Sequence, residues 1–277
     1  MASASAPPPI LSIIEVSKRH ATAEGDLLAL DKVSFDVRRG EIISVIGPSG
    51  CGKTTLFNII GGLIDHYDGK VVIDGKDHAP RGQIGMVFQE ESNFPWRTTL
   101  QNVAFPLEAA GVGRRERLER ARHFVRLVGL EGFENCYPDE LSGGMRQRAA
   151  IARTLAFGAK ILLMDEPFAA LDSQTRLLIG DKVLQIRQEL DQTMLVITHN
   201  LTEAVQLSDR VVVLTHRPGR IKRVVDIDLP RPRSSEIVGS AQFARLVGVI
   251  WHELREEANL GMADTPTRRS RVGALEE

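Results

Sequence analysis

The stretch EIISVIGPSGCGKTT, residues 41–55, carries the clearest structural signal in the chain. The apolar run EIISVI predicts a buried strand, and the next residues match G-x-x-x-x-G-K-[ST] at Gly47, Gly52, Lys53 and Thr54. The composition of the chain gives roughly 0.006 chance matches to this pattern. Because the run TLFNIIGG that follows is compatible with a helix, the stretch predicts a strand, a phosphate-binding loop and a helix.

The residues of this loop are of the types that bind nucleotide phosphates. Glycines let backbone N–H groups approach phosphate oxygens, and the next helix directs the positive end of its dipole to the same place. We expect Lys53 to contact the β- and γ-phosphates and the Thr54 hydroxyl to coordinate Mg²⁺. The candidate nucleotide-binding residues here are Gly47, Pro48, Ser49, Gly50, Cys51, Gly52, Lys53, Thr54 and Thr55.

Strand-like and helical patterns alternate along the chain, which indicates an α/β fold. Short runs rich in Ile and Val lie at 10–17, 33–37, 41–47, 70–75, 84–89, 161–166, 194–198 and 210–214. The last four do not alternate in polarity, as is typical of buried parallel strands. About 70 residues between the fifth and sixth runs show helical patterns instead, at 114–130 and 143–158. We therefore predict a helical lobe inserted into a parallel-sheet core.

Composition and charge exclude several functional classes. The 277 residues are 43% hydrophobic and 26% charged, as in folded globular proteins. No apolar run reaches the ~20 residues of a membrane-spanning helix. Lys+Arg 35 against Asp+Glu 36 argues against a globally basic nucleic-acid binder. Two cysteines, Cys51 and Cys136, make no disulfide framework and fit a reducing compartment.

The acidic pair Asp165-Glu166, at the end of the apolar run ILLMDEP, is a candidate for the other half of the nucleotide site. An Asp at a strand end beside a phosphate loop can hold Mg²⁺. Glu166 is then placed to orient or deprotonate the water that attacks the γ-phosphate. Alone, such a pair is more often a helix cap or a solvated turn, so the functional interpretation depends on the loop at 47–55.

LSGGMRQR, residues 141–148, closely resembles the signature motif of the ATP-binding cassette (ABC) ATPases of membrane transporters. The other marks of that family are present in the expected order along the chain. Gln89 matches its Q-loop glutamine, Asp172 in FAALD matches its D-loop, and His199 in VITHN matches its switch histidine. The resemblance covers roughly residues 10–230.

This resemblance implies an α/β fold: a P-loop NTPase (RecA-like) core with an antiparallel β subdomain and an inserted α-helical subdomain. The ATPase domain is then 10–230, with its core at 10–90 and 159–230 and its helical lobe at 91–158. Residues 1–9 are expected to be a disordered lead-in. Residues 231–277 are an extension with one amphipathic helix, whose Phe243, Leu246, Val247, Ile250, Trp251 and Leu254 we expect to dock on the core.

The resemblance also implies roles for individual residues. Glu166, His199, Gln89 and Lys53 are the expected catalytic residues, and Thr54, Gln89 and Asp165 the expected Mg²⁺ ligands. In this family two ATP molecules lie between two such domains. Ser142, Gly143, Gly144 and Asp172 would then contact ATP held by the phosphate loop of a second copy.

One position departs from the family pattern. Members usually carry an aromatic residue after the first strand, which stacks on adenine, and His20 occupies the matching position here. An imidazole is a smaller stacking platform than Tyr or Trp. We expect His20 to lie near adenine and to discriminate bases weakly; the alternative is an ordinary exposed loop histidine.

Three further segments are similar to importer ATPases for nitrate, sulfonate, taurine and related small solutes: PWRT (95–98), THRPGRI (215–221) and DLPRPR (228–233). The expected partners are transmembrane permease subunits, a second copy of the ATPase and, indirectly, a periplasmic or extracellular solute-binding protein, with no nucleic acid. The expected location is peripheral, on the cytoplasmic face of the inner membrane. Phe94 and Trp96 would line the groove that receives the permease, unless they pack inside the lobe.

Two alternative functions remain open at this point. A soluble ABC ATPase that acts on nucleic acid or ribosomes is disfavoured by the single signature motif and the lack of net basic charge. A P-loop kinase or GTPase is opposed by LSGGMRQR. The basic run RRERLERAR (114–122) mixes Arg with Glu116 and Glu119, so a solvated helix face is the favoured interpretation.

Overall fold

The computed structural model describes residues 8–22, 25–77, 83–89, 92–169 and 171–263. Most of the lead-in predicted for 1–9 therefore lies outside the described residues. The strands are β1 (Leu11–Thr22), β2 (Gly25–Val37), β3 (Ile42–Ile46), β4 (Asp68–Ile73), β5 (Lys76–Asp77), β6 (Ile84–Val87), β7 (Ile161–Asp165), β8 (Thr193–Ile197), β9 (Arg210–Leu214) and β10 (Ile221–Asp226). The α-helices are α1 (Lys53–Ile60), α2 (Thr99–Ala109), α3 (Arg114–Leu127), α4 (Gly143–Ala156), α5 (Ser173–Leu190), α6 (Leu201–Leu207) and α7 (Ala241–Ala263).

The larger sheet has six strands in the order β10-β9-β3-β8-β7-β6. All neighbours pair in parallel except β9 and β10. Every residue of β3, β7 and β8 is buried, which explains their continuous apolar sequences. Because the parallel strands share one direction, the segments that follow β3, β6, β7 and β8 meet at the same edge of the sheet.

A second sheet is antiparallel, with four strands in the order β2-β1-β4-β5. Its apolar face packs with α1 and one face of the larger sheet, in a cluster that includes Leu30, Phe57, Ile73 and Leu163. This sheet is the expected antiparallel subdomain. The predicted end of the first strand at residue 17 was wrong, because β1 continues to Thr22 in a long pairing with β2.

The helices α2, α3 and α4 lie in the chain between β6 and β7. Their apolar side chains share one hydrophobic cluster with the larger sheet, so Val103 and Val125 of the lobe belong to the same core as Met164. The buried face of α4, which packs against α2 and α3, is rich in alanine: Ala149, Ala150, Ala152 and Ala156. Gly85 allows the lobe to approach the sheet closely, since a Cβ there would lie 2.7 Å from Thr154 Cγ2.

The C-terminal helix α7 docks on α6, β9 and β10. Phe243, Leu246 and Ile250 are buried in this contact, and Val247 and Leu254 pack at its margin. The expectation for Trp251 was wrong, because its side chain is 55% exposed. It lies roughly 100° around the helix from the buried row, beyond the reach of the core. None of the described helices is both long and apolar enough to cross a membrane.

Candidate nucleotide-binding site

The predicted phosphate loop lies between β3 and α1. Gly50 and Gly52 have φ of 75° and 98°, a left-handed conformation that favours glycine. Gly52 caps α1 without a side-chain hydrogen bond, and the first turn of α1 has no acidic residue. Lys53 Nζ donates hydrogen bonds of 2.8 Å to the carbonyls of Gly47 and Pro48, which hold the ammonium over the loop. These features fit a polyphosphate ligand.

The side chain of Cys51 points beneath the phosphate loop, away from its ligand-facing side. The side chain is fully buried, and a Cβ on Gly47 would lie 2.7 Å from its Sγ. Burial raises the pKa of the Cys51 thiol, although the charge of Lys53 opposes this effect. The thiol is therefore a neutral packing group, and only the backbone of Cys51 can face a ligand.

Thr54 and Asp165 come together from α1 and the end of β7. The Asp165 carboxyl is 5% exposed and accepts a hydrogen bond from the Thr54 hydroxyl. Burial raises its pKa, as does the charge of Glu166, whereas Thr54 and Lys53 act in the opposite direction. A hydroxyl and a carboxylate in contact are oxygen donors of the type that Mg²⁺ prefers, so these residues fit that ion.

Glu166 and His199, both predicted catalytic residues, are in direct contact. His199 Nδ1 lies 2.6 Å from Glu166 Oε2, and His199 is 70% exposed whereas Glu166 is 13% exposed. Glu166 has a φ of 49°, and its N–H donates to the Ile197 carbonyl of β8. The backbone at the end of β7 is thus turned so that the carboxylate points to His199, two residues after β8, which is the arrangement of a base with an orienting partner.

His20 lies near the predicted site but inside β1, not after it. Its Nε2 is 3.2 Å from the Thr55 hydroxyl oxygen of α1, and the residue is half-buried. The imidazole is therefore at the margin of the phosphate loop, where a base could be stacked.

The signature residues are at the start of α4, in the lobe. Ser142 is exposed and caps α4 by accepting a hydrogen bond from the Met145 N–H. Gly144 provides close packing, since a Cβ there would lie 2.4 Å from Leu171 Cδ2. The signature glycine therefore contacts the segment that leads into Asp172.

Asp172 is exposed and caps α5 by accepting hydrogen bonds from the N–H groups of Gln174 and Thr175. Hydrogen bonds from Thr175 and Gln174 keep its pKa below the usual range. Within the described ranges, Ser142, Gly143 and Asp172 make no hydrogen bond or ion pair with the phosphate loop.

Gln89 follows β6 and is exposed. It lies at the same edge of the larger sheet as Glu166 and His199, because β6 is parallel to β7. The described residues show no contact of Gln89 with the other predicted site residues, so its metal and catalytic roles stay predictions.

Sequence reasoning missed two residues next to the site. Arg217 Nε donates to the Gly50 carbonyl of the phosphate loop at 3.2 Å. Arg217 lies in THRPGRI, a segment that the sequence marked only as a resemblance. Glu203 of α6 is 5% exposed and makes a hydrogen bond with Thr198, next to His199. Burial raises its pKa to about 8, with a smaller contribution from the charge of Glu166.

Comparison with known proteins bears directly on this geometry. The profile of the ABC transporter family matches residues 30–169, which include the phosphate loop, the signature motif and the Asp165-Glu166 pair. The chain belongs to the ABC transporter family. As an ABC protein it is an ATP-binding ATPase, and the resemblance inferred from the sequence motifs is confirmed.

Several curated relatives of this ABC ATPase cover most of its length. An uncharacterized ABC transporter ATP-binding protein of Methanocaldococcus jannaschii is 52% identical over 79% of this chain and 82% of its own. The nitrate transport protein NasD of Klebsiella oxytoca is 41% identical over 90% of this chain and 97% of its own. The taurine import ATP-binding protein TauB of Rhizobium johnstonii is 44% identical over 87% of this chain and 92% of its own.

A solved structure confirms the fold of the ABC ATPase. The match is a dimeric ATP-binding cassette in a post-hydrolysis state, bound to ADP and Pi. It is 34% identical to this chain, aligns with a TM-score of 0.70 and covers 79% of this chain and 100% of its own. The expected α/β cassette with a P-loop core is therefore correct.

Proposed function

We propose that this ABC ATPase powers the import of a small oxoanionic solute, such as nitrate or a sulfonate like taurine. The observation that carries the hydrolytic part is the contact between Glu166 and His199 at the edge of the sheet that also holds the phosphate loop. The direction and the solute class are supported by the names of the nitrate and taurine relatives.

Each residue of the site has a distinct proposed task. Lys53 and the loop N–H groups bind the β- and γ-phosphates of ATP. Thr54 and Asp165, with Gln89, hold Mg²⁺, which when bound offsets phosphate charge as the terminal bond breaks. Glu166 accepts a proton from the attacking water, and His199 orients its carboxylate.

We propose that two copies sandwich two ATP molecules. Ser142 and Asp172 are exposed at the starts of α4 and α5, with Gly143 and Gly144 partly buried in the first turn of α4. Within the described ranges, Ser142, Gly143 and Asp172 make no hydrogen bond or ion pair with the phosphate loop of their own chain. A second copy can present these groups to the γ-phosphate. The related solved cassette is a dimer, which supports this arrangement.

The proposed partners in the membrane are permease subunits, served outside by a solute-binding protein, with the ATPase peripheral on the cytoplasmic face. Trp96 is 71% exposed, so it does not pack inside the lobe. Its ring lies 5.6 Å from that of Phe94, which in turn stacks edge-on against Phe105. These rings form an apolar surface beside the Q-loop segment, where a permease helix can dock. The domain bounds 10–230, 91–158 and 231–277 are part of the same proposal.

Glu166→Gln tests the hydrolytic site and the dimer together. The amide cannot accept a proton, so we expect ATPase activity to fall about 100-fold or more while ATP still binds. Size-exclusion chromatography with ATP and Mg²⁺ should show a species of twice the 30.6 kDa of one chain. Lys53→Ala, which removes the phosphate contact, is the control and should stay monomeric. A Glu166→Gln protein that is monomeric at saturating ATP contradicts the sandwich.

The import function is tested by reconstitution with the native permease subunits. We expect ATP-dependent uptake of labelled nitrate or taurine by wild type and none by Glu166→Gln. Purification of the wild type with bound nucleic acid and without permease would contradict this proposal and favour the soluble alternative.

A further inference from the structure

The structure connects the C-terminal helix to the phosphate loop through one intervening segment. This segment is the β9–β10 loop, residues 215–220, which joins the last two strands of the larger sheet. Thr215 closes it, since its N–H donates to the Arg220 carbonyl at 2.9 Å and its hydroxyl donates to Pro218 at 2.9 Å.

One side of the β9–β10 loop lies against the phosphate loop. Arg217 Nε donates to the Gly50 carbonyl at 3.2 Å, and a Cβ on Gly50 would lie 2.8 Å from the Arg217 guanidinium. Gly219 is equally close, because a Cβ there would lie 2.1 Å from the carbonyl oxygen of Cys51. Only glycine fits at this contact, so the two loops are in backbone contact.

The same segment also fixes the residues on the far side of the phosphate loop. The Gly219 N–H donates to the Ala29 carbonyl at 2.9 Å, and the Asp31 N–H donates to the Gly219 carbonyl at 3.0 Å. The Ala29 carbonyl in turn lies 2.8 Å from the place of a Cβ on Gly52. A shift of the β9–β10 loop therefore displaces the surroundings of both Gly50 and Gly52.

The other side of the β9–β10 loop is held by α7. Glu257 is 7% exposed, and its carboxylate accepts a 2.7 Å hydrogen bond from the His216 N–H. The other Glu257 oxygen lies 3.0 Å from Lys222 Nζ on β10. Gly261 lets α7 approach the His216 ring, since a Cβ there would lie 2.8 Å from its Cδ2. A carboxylate that is buried and bound at both oxygens fixes its partners closely.

We propose that Glu257 of α7 is a positioning residue for ATP, which it serves by holding the β9–β10 loop, with Arg217 and Gly219, against the phosphate loop. The C-terminal extension is thereby part of the nucleotide-binding machinery and not only a cover for the sheet edge. This inference rests on the proposal that the phosphate loop binds ATP.

Variants of Glu257 test the inference in the full chain. Glu257→Ala removes the acceptor of the His216 N–H, and we expect the Kd for ATP with Mg²⁺ to rise about three- to tenfold. Glu257→Gln keeps an acceptor oxygen for the His216 N–H, so its Kd for ATP should lie close to that of the wild type. Glu256→Gln is the matched control: it removes a 2.6 Å ion pair with Lys222 but no contact to the β9–β10 loop, so the Kd should stay as in wild type.

A second measurement separates positioning from stability. Arg217 is exposed and contacts the phosphate loop, at the opposite side of the β9–β10 loop from Glu257. Arg217→Ala should therefore raise the Kd for ATP without lowering the Tm. The effects of Glu257→Ala and Arg217→Ala on the Kd should be less than additive, because both release the same loop. If Glu257→Ala lowers the Tm and leaves the Kd unchanged, the positioning role is wrong and α7 is structural. If wild type itself fails to bind ATP, the proposed function fails first.

Discussion

At the scale of single residues, the ionisation of Glu203 is unusual. Its carboxyl is buried and makes a hydrogen bond with Thr198, next to His199, while Glu203 Oε1 has no hydrogen-bond partner. Burial raises its pKa to about 8, and the nearby charge of Glu166 adds to the effect, whereas Thr198 and Arg176 oppose it. The folded protein therefore holds a proton on Glu203 at neutral pH, when an exposed glutamate would be ionised.

Glu203→Gln should stabilise the protein in a pH-dependent manner. The folded pKa lies above the unfolded value of 4.5, so the stability that Glu203 contributes is fully present below pH 4.5 and is lost as the pH rises toward about 8. The amide does not titrate. We expect the variant to gain up to about 1.4 kcal/mol per pH unit over wild type in this window. Urea unfolding at pH 5, 6.5 and 8 measures the difference, and a pH-independent difference would contradict a buried neutral carboxyl.

The sequence predicted candidate residues of the site but not the contacts between them. Lys53 was predicted from the fixed spacing of the phosphate-loop motif, Asp165 and Glu166 from their place at a strand end, and His199 from the family resemblance alone. The contact of Arg217 with the phosphate loop could not be predicted, since no spacing rule relates Arg217 to Gly50, 167 positions earlier in the chain. Tertiary pairing of this kind is set by the sheet order, which only the structure supplies.

At the scale of elements, the sequence predicted those with a continuous or periodic apolar pattern and missed several others. Buried strands β7, β8 and β9 were predicted within a residue or two. Helix α2 was missed because Pro106 lies inside it, and α5 because Gly180 and Asp181 interrupt its apolar spacing. Strand β10 was missed because it is a polar edge strand whose position depends on pairing with β9.

Two neighbouring residues of α7 test which face of that helix stabilises its docking on the rest of the chain. Ile250 is fully buried against the larger sheet, whereas Trp251 is 55% exposed. Ile250→Ala should lower the free energy of unfolding by about 2–5 kcal/mol because it leaves a cavity. Trp251→Ala should change it by about 0.5 kcal/mol or less. Denaturant unfolding compares the two, and equal costs would contradict the docking described for α7.

At the scale of the whole molecule, the lobe and the sheet share a single hydrophobic core. Side chains of α2, α3 and α4 belong to the same cluster as those of β7 and β8. Neither part can expose that surface independently, since the apolar area is buried jointly. The chain should therefore behave as one cooperative unit although the lobe is an insertion.

The two tryptophans of the chain allow this cooperativity to be measured. Trp96 is in the lobe segment and Trp251 is on α7. Both side chains are largely exposed, so replacing either by Phe should cost little stability. In Trp96→Phe and Trp251→Phe variants, the remaining tryptophan should report the same unfolding midpoint as far-UV circular dichroism. A lower midpoint from Trp96 alone would show that the lobe unfolds first.

The alanine face of α4 has a mechanical consequence. Alanine methyl groups let the backbone of α4 approach α2 and α3 closely, while the branched side chains of Ile151 and Leu155, buried in the same cluster, interlock with their neighbours. We expect α4 to resist sliding and to move together with α2 and α3 as one rigid body. Since Ser142 caps one end of α4, a rotation of the lobe would carry the signature residues with it.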